Sequence, residues 1–200
     1  RTVLAGLPLL VVALLAAGGG DRDPADPAPE PVLRTMRRTE RHKFEYSFFL
    51  RGDKIATQET NPYFDEVLAE TGRVPDGPVV EYHRDGKSIK AEMTYLNNRL
   101  HGEFKTYYQS GNRFTHCTYT NGMKYGVLRN YRDNGKIYQE REYRGGKKWG
   151  TEKDWAPEGF LESVSEWVDG KRHGMARSYY SNGQVRSESK CEQGTIVGEI

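Results

Sequence analysis

YRDNGKIYQEREYRGGKKWGTEKDW, residues 131–155, holds one full period of the chain and the first residue of the next. It opens on Tyr131, turns at Asn134-Gly135, turns again at Gly145-Gly146, passes a lone Gly150 and reaches an aromatic once more at Trp155, 24 residues on. The same step runs outward in both directions. Gly102, Gly126, Gly150, Gly174 and Gly198 form one series, and Gly122, Gly146, Gly170 and Gly194 follow Asn98 in another. Tyr107, Tyr131, Trp155 and Tyr179 make an aromatic column; Tyr95, Tyr119, Tyr143 and Trp167 make a second that ends in Cys191. A fixed period of this length marks repeated supersecondary units that bury surface only against their neighbours.

Each unit carries two turn signals separated by strand-length segments free of proline. One set is Asp85-Gly86, Ser110-Gly111, Asn134-Gly135, Glu158-Gly159 and Asn182-Gly183; the other is Asn97-Asn98, Asn121-Gly122, Gly145-Gly146, Asp169-Gly170 and Gln193-Gly194. Such pairs suit two-residue type I′ hairpin turns, which need positive φ at both central residues. Between the turns the side chains alternate. Leu161, Ser163, Ser165 and Trp167 share one parity, while Lys90, Glu92, Glu140, Glu142, Glu162, Glu166, Arg186 and Glu188 collect on the other. Period two puts these sets on opposite faces of a sheet, one semi-apolar and one wet. The pattern predicts an all-β fold, an elongated antiparallel meander of hairpins over residues 79–200. Gly102 and its equivalents interrupt strands, which predicts a bulge or a site where an aromatic ring lies over bare backbone.

The remainder differs in kind. Residues 1–19 contain LAGLPLLVVALLAA after Arg1 and run into Gly18-Gly19-Gly20, the layout of a secretory signal and shorter than a spanning helix. An uncleaved anchor and a core segment are the other readings. Residues 20–43 are first proline-rich, DRDPADPAPEP, and then basic, with Arg34, Arg37, Arg38, Arg41 and Lys43, and are expected to form a flexible linker whose cations are solvated or touch anionic headgroups. Residues 44–78 keep a loose version of the rhythm, with an insertion at Asn61-Pro62, and are expected to form a degenerate first repeat that caps the array. Hydrophobic residues make up 36% of the chain against 29% charged, which favours an elongated array over a large globular core; a formal charge of +2 gives no case for nucleic acid.

The stretches from Tyr131 to Gly135, Tyr143 to Gly150 and Tyr179 to Gly183 resemble the MORN-repeat variant family of bacterial proteins, often labelled an antitoxin component of toxin–antitoxin systems. The resemblance covers Tyr82 to Ile200 and implies a hairpin meander used for protein interaction, dimerisation or membrane association, without catalysis. The antitoxin label suits cytoplasmic members, and the signal-like N-terminus departs from it.

His101 and His173 share a column with Tyr125, Trp149 and Val197, which marks a packing or rim position; no metal, cofactor or catalytic residue is expected there. Glu140 is expected to face Arg129, and Glu188 to face Arg177, as exposed cross-strand pairs. Arg51-Gly52-Asp53 spells an adhesion tripeptide at the first turn glycine. The candidate binding surface is Trp149, Tyr125, His101, His173, Trp155 and Trp167, with Trp149 the least constrained by its column; Tyr131, Tyr143, Trp155 and Trp167 occupy repeated columns and are read as the spine before binding anchors, and Tyr107 and Tyr179 are structural repeat residues with them. Cys117 and Cys191 lie about three repeats apart, roughly 29 Å at the strand spacing, which predicts no intrachain disulfide. The last strand is expected to present an unpaired edge that invites self-association or strand addition. Taken together, the sequence suggests an exported scaffold of the periplasm or envelope that binds another protein or itself. The alternatives are a cytoplasmic antitoxin and an envelope module for glycan or lipid headgroups.

Overall fold

The computed structural model describes residues 30–39, 43–61 and 66–199. The signal-like segment, the proline-rich stretch through residue 29, Arg41 and the insertion at residues 62–65 lie outside the described residues. All strands belong to one compact unit, Pro31–Ile200. They are β1 (Val32–Arg38), β2 (Phe44–Leu50), β3 (Asp53–Thr60), β4 (Val67–Gly72), β5 (Gly77–Tyr82), β6 (Ile89–Leu96), β7 (Arg99–Tyr107), β8 (Arg113–Thr120), β9 (Met123–Tyr131), β10 (Ile137–Arg144), β11 (Lys147–Trp155), β12 (Leu161–Val168), β13 (Lys171–Tyr179), β14 (Val185–Glu192) and β15 (Thr195–Glu199). They form one open sheet. From β15 down to β5 consecutive strands pair in chain order, and beyond β5 the order is β1, β2, β3, β4. The fold is therefore all-β and a hairpin meander, as the period predicts.

The two turn series differ from each other, which corrects the expectation of type I′ turns at both. Asn121-Gly122, Gly145-Gly146 and Asp169-Gly170 have positive φ at both residues, as do Asn97-Asn98, Gln193-Gly194 and Arg51-Gly52. At the other end only the glycine is left-handed. There Gly135 N–H donates to the Arg132 carbonyl and Arg132 N–H to the Lys136 carbonyl, both 2.8 Å, so three residues connect the strands by a type I turn and a glycine bulge. Ser110-Gly111, Glu158-Gly159 and Asn182-Gly183 repeat this closure. The register slips beside it, as between Ile137 and Gln139.

Gly102, Gly126, Gly150 and Gly174 sit at bulges with φ of 83°, 79°, 79° and 100°. Opposite Gly150 the pairing jumps from Arg141↔Glu152 to Tyr143↔Lys148. Across the neighbouring pair each lies opposite a member of the second aromatic column: Gly102↔Tyr119, Gly126↔Tyr143, Gly150↔Trp167 and Gly174↔Cys191. A Cβ on Gly150 meets the Glu142 side chain, and one on Gly174 meets Glu166. Both carboxylates accept hydrogen bonds from the freed backbone, Glu142 from Thr151 N–H at 3.3 Å and Glu166 from Met175 N–H at 3.0 Å. The wet-face glutamates thus satisfy the donors that the bulge leaves unpaired. Gly198 does not share the left-handed φ.

The N-terminal part corrects the linker and the cap. Val32–Arg38, placed in the linker by composition, is a strand seated between β5, to which it runs parallel, and β2, to which it runs antiparallel. Its cations find partners on other strands: Arg34 with Glu81 at 2.7 Å and Arg37 with Glu45 at 2.9 Å, followed by Lys43 with Glu59 at 2.8 Å. The segment after it is no stacked repeat. The sheet rolls until β3 and β4 reach β6 and β7: Arg99 pairs with Glu70 at 2.5 Å, Gln58 donates to the Asn98 carbonyl at 2.8 Å, and Tyr95 Oη donates to Gln58 at 3.3 Å. Phe48, Val74 and Val79 are fully buried inside the roll, each contributing about 1.5–3 kcal/mol. Around them pack Tyr46, Ala56, Ala91, Met93 and Tyr95. A smaller cluster of Cys117, Tyr119 and Leu128 carries the core a little further into the array.

Both cysteines are buried and unpaired, and burial pushes the Cys117 thiol up to about 12. Non-reduced mass spectrometry should show no bridge, and a thiol reagent should label both residues only on unfolding. Gly150→Val should lower the melting temperature, because an L residue in the left-handed region costs about 1–2 kcal/mol and a β-branched one more. Gly198→Ala, in ordinary backbone with open space around it, should leave melting nearly unchanged.

Candidate functional site

The two faces of the array carry different chemistry. On the core face, row after row can be followed in register. Thr106, Thr115, Asn130, Gln139, Asp154, Ser163, Ser178 and Ser187 lie side by side from β7 to β14. Thr115 donates to Asn130 at 2.8 Å, Asn130 to Gln139 at 3.0 Å, Gln139 to Asp154 at 2.6 Å and Ser163 to Asp154 at 3.2 Å. The next row changes character along the array. Met93, Phe104 and Leu128 give way to the pair Arg141↔Glu152 and then to Ser165, Ala176 and Ser189.

Glu152 is buried where its equivalents are Phe104 and Leu128. Burial pushes its carboxyl up, but hydrogen bonds from Lys148 at 2.9 Å and from Arg141 outweigh that and hold it below its ordinary value. Glu81 follows the same logic: burial raises it, while Arg34 and Lys90 bring it below the usual range. A third row alternates rings and cations at the type I′ end. It runs Tyr119, Lys124, Tyr143, Lys148, Trp167, Arg172, with Tyr119↔Lys124, Tyr143↔Lys148 and Trp167↔Arg172 directly opposite.

On the opposite face the expected ion pairs form. Glu140 faces Arg129 at 3.2 Å, and Glu188 faces and pairs with Arg177. The column His101, Tyr125, Trp149, His173 runs along this face, each member just before a bulge glycine. Tyr125, opposite Thr118, is 55% exposed, and Trp149 is 39% exposed with the Arg144 guanidinium 5.3 Å from its ring centre. Met123, Leu96 and Val168 add exposed apolar surface on the same face near the same end. His101 is half-buried with Nδ1 unpaired, and His173 is exposed.

The six sequence candidates therefore fall in three places. His101, Tyr125, Trp149 and His173 are aligned. Trp155 is half-buried at the far end, where its carbonyl accepts from Arg132 Nη2 at 2.9 Å. Trp167 is on the core face, with Lys148 Nζ 3.9 Å and Arg172 5.5 Å from its ring centre and its Nε1–H donating to Ser165 Oγ at 2.9 Å. The cationic row is the part that the sequence reading missed. Its signal is a 24-residue column, Leu100, Lys124, Lys148, Arg172, Ile196.

This architecture defines the chain as a β-meander repeat protein. Residues 100–121, 124–144 and 172–190 match the MORN repeat variant, and such repeats commonly serve as protein- or membrane-binding modules. Among curated proteins none matches the chain significantly.

Because the folded Glu81 and Glu152 carboxyls lie below their unfolded values, their contribution is complete above the ordinary carboxylate range, about 4.3, and is lost as pH falls through the depressed values. Melting temperature should hold from neutral pH to about 5 and fall below about 4. Glu81→Gln should cost about 3–5 kcal/mol at neutral pH by leaving Arg34 buried and unpaired, read by chemical denaturation.

Proposed function

We propose that this chain is a non-catalytic, exported repeat protein that serves as a protein-binding scaffold in the periplasm or cell envelope. The observation that carries this reading is the exposed strip of Tyr125 and Trp149, with Met123 beside them, on a face that also carries the cross-strand ion pairs Arg129–Glu140 and Arg177–Glu188. Large rings held at a regular spacing on a rigid sheet expose apolar area with little conformational freedom to lose, which is what interface anchors require. The common role of MORN-type repeats as binding modules supports the same conclusion. Export rests on the signal-like residues 1–19.

Fractionation of cells producing the full chain should recover it outside the cytoplasm. In capture from envelope extracts followed by mass spectrometry, Trp149→Ala and Tyr125→Ala should each reduce recovery of the partner about tenfold, the scale expected of an aromatic anchor. Both side chains are exposed, so the variants should melt as the parent does. Unchanged capture by both places the interface elsewhere, and cytoplasmic recovery favours the antitoxin reading.

A further inference from the structure

We infer that the core face of the array docks an acidic segment in the polyproline II conformation, laid across the strands along Lys124, Lys148 and Arg172. This deepens the binding-module reading and rests on it, but uses the face opposite Trp149.

The argument is one of charge and spacing. Successive cations are separated by one repeat, which is two strands, or about 9.6 Å at the usual inter-strand distance. Polyproline II advances about 3.1 Å per residue with three residues per turn, so every third side chain returns to the same side after about 9.3 Å. A carboxylate at every third residue of such a segment meets each cation in turn. An extended β-strand has no such match, because its residues three apart point to opposite sides.

Rings lie between the cations, as polyproline recognition requires: prolines dock in grooves lined by aromatic side chains. Lys124 Nζ is 5.5 Å from the centre of the Tyr143 ring, and Trp167 lies between Lys148 and Arg172. Both rings are half-buried. The row also carries an excess of positive charge. Glu152 engages Lys148, but Arg141 neutralises the same carboxylate, and among the described residues no ion pair reaches Lys124 or Arg172. An ammonium has three donors, so Lys148 can hold Glu152 and still face a ligand.

The test is fluorescence anisotropy with the full chain and three labelled probes: a Pro-Pro-Glu repeat, a Pro-Glu repeat of equal charge, and a Pro-Pro-Lys repeat. The first should bind about tenfold more tightly than the second, with affinity falling as salt rises, and the third should not bind. Lys124→Glu and Arg172→Glu should each weaken binding about tenfold while the parent melting temperature is kept. Where Lys124→Glu impairs folding, Lys124→Gln serves in its place.

Equal affinity for the two acidic probes, or undiminished affinity in the charge variants, overturns the inference. So does preference for phosphatidylserine vesicles over the Pro-Pro-Glu probe, which assigns the row to a lipid surface. The two readings separate through Trp149→Ala. Loss of partner capture in that variant with no binding of the probe by the parent sinks this inference alone. Intact capture together with probe binding that the charge variants weaken sinks the Trp149 strip alone.

Discussion

The array depends on one backbone interaction repeated along its length: the N–H of the second turn residue donates to a carbonyl of the preceding hairpin. Gly122 donates to Leu100, Gly146 to Lys124, Gly170 to Lys148 and Gly194 to Arg172, all at 2.8 or 2.9 Å. Each acceptor lies two residues beyond the previous turn, just ahead of the strand glycine. The strand must therefore bulge there, and at Gly102, Gly126, Gly150 and Gly174 it does so through a left-handed residue. Turn, bulge and stacking bond are one device, which is why two glycine series keep the same period. At the other end side chains take over. His83 Nε2 lies 3.1 Å from the Tyr107 carbonyl, Tyr108 Oη donates to the Tyr131 carbonyl at 2.8 Å, and Arg132 donates to that of Trp155. Ala156 ends this series with a side chain that has no donor.

Apolar burial is distributed unevenly on this scaffold. The roll of β1 to β7 encloses Phe48, Val74 and Val79, whereas from β10 onward the row that continues Met93, Phe104 and Leu128 holds Arg141, Glu152, Ser165, Ala176 and Ser189. Hydrophobic burial anchors the N-terminal half. Beyond it, neighbour-to-neighbour hydrogen bonds and ion pairs carry the sheet, in keeping with the additive stability of repeat proteins. A core face that buries its large rings only in part is free to present charge, and that is where the cationic row emerges.

The two faces thus offer different chemistries to a partner. One displays Tyr125 and Trp149 among paired charges; the other displays rings and cations in alternation. Both patterns are delivered by the same 24-residue step, so a ligand with its own regular spacing gains a contact per repeat. Arg51-Gly52, the first two residues of the adhesion tripeptide, forms a type I′ turn like those of the array, and its left-handed φ is accounted for by the hairpin that it closes.

The sequence by itself determined the strands and the turn positions of the array, the facing of Glu140 on Arg129 and the separation of Cys117 from Cys191, because each follows from local periodicity and the pairing of neighbours. It also placed Tyr125 and Trp149 at a tolerant column. Only the tertiary structure decided where Val32–Arg38 belongs, since a strand that pairs in parallel with β5 depends on Glu81, far along the chain from Arg34. The roll of β3 and β4 onto β6 and β7 was hidden for the same reason: Glu70 and Arg99, or Gln58 and Tyr95, carry no shared period. The fate of the bulge glycines turned on which way a side chain leans once the register slips. Local pattern fixes alternation but not that slip, because the slip follows from how one turn bonds to the next.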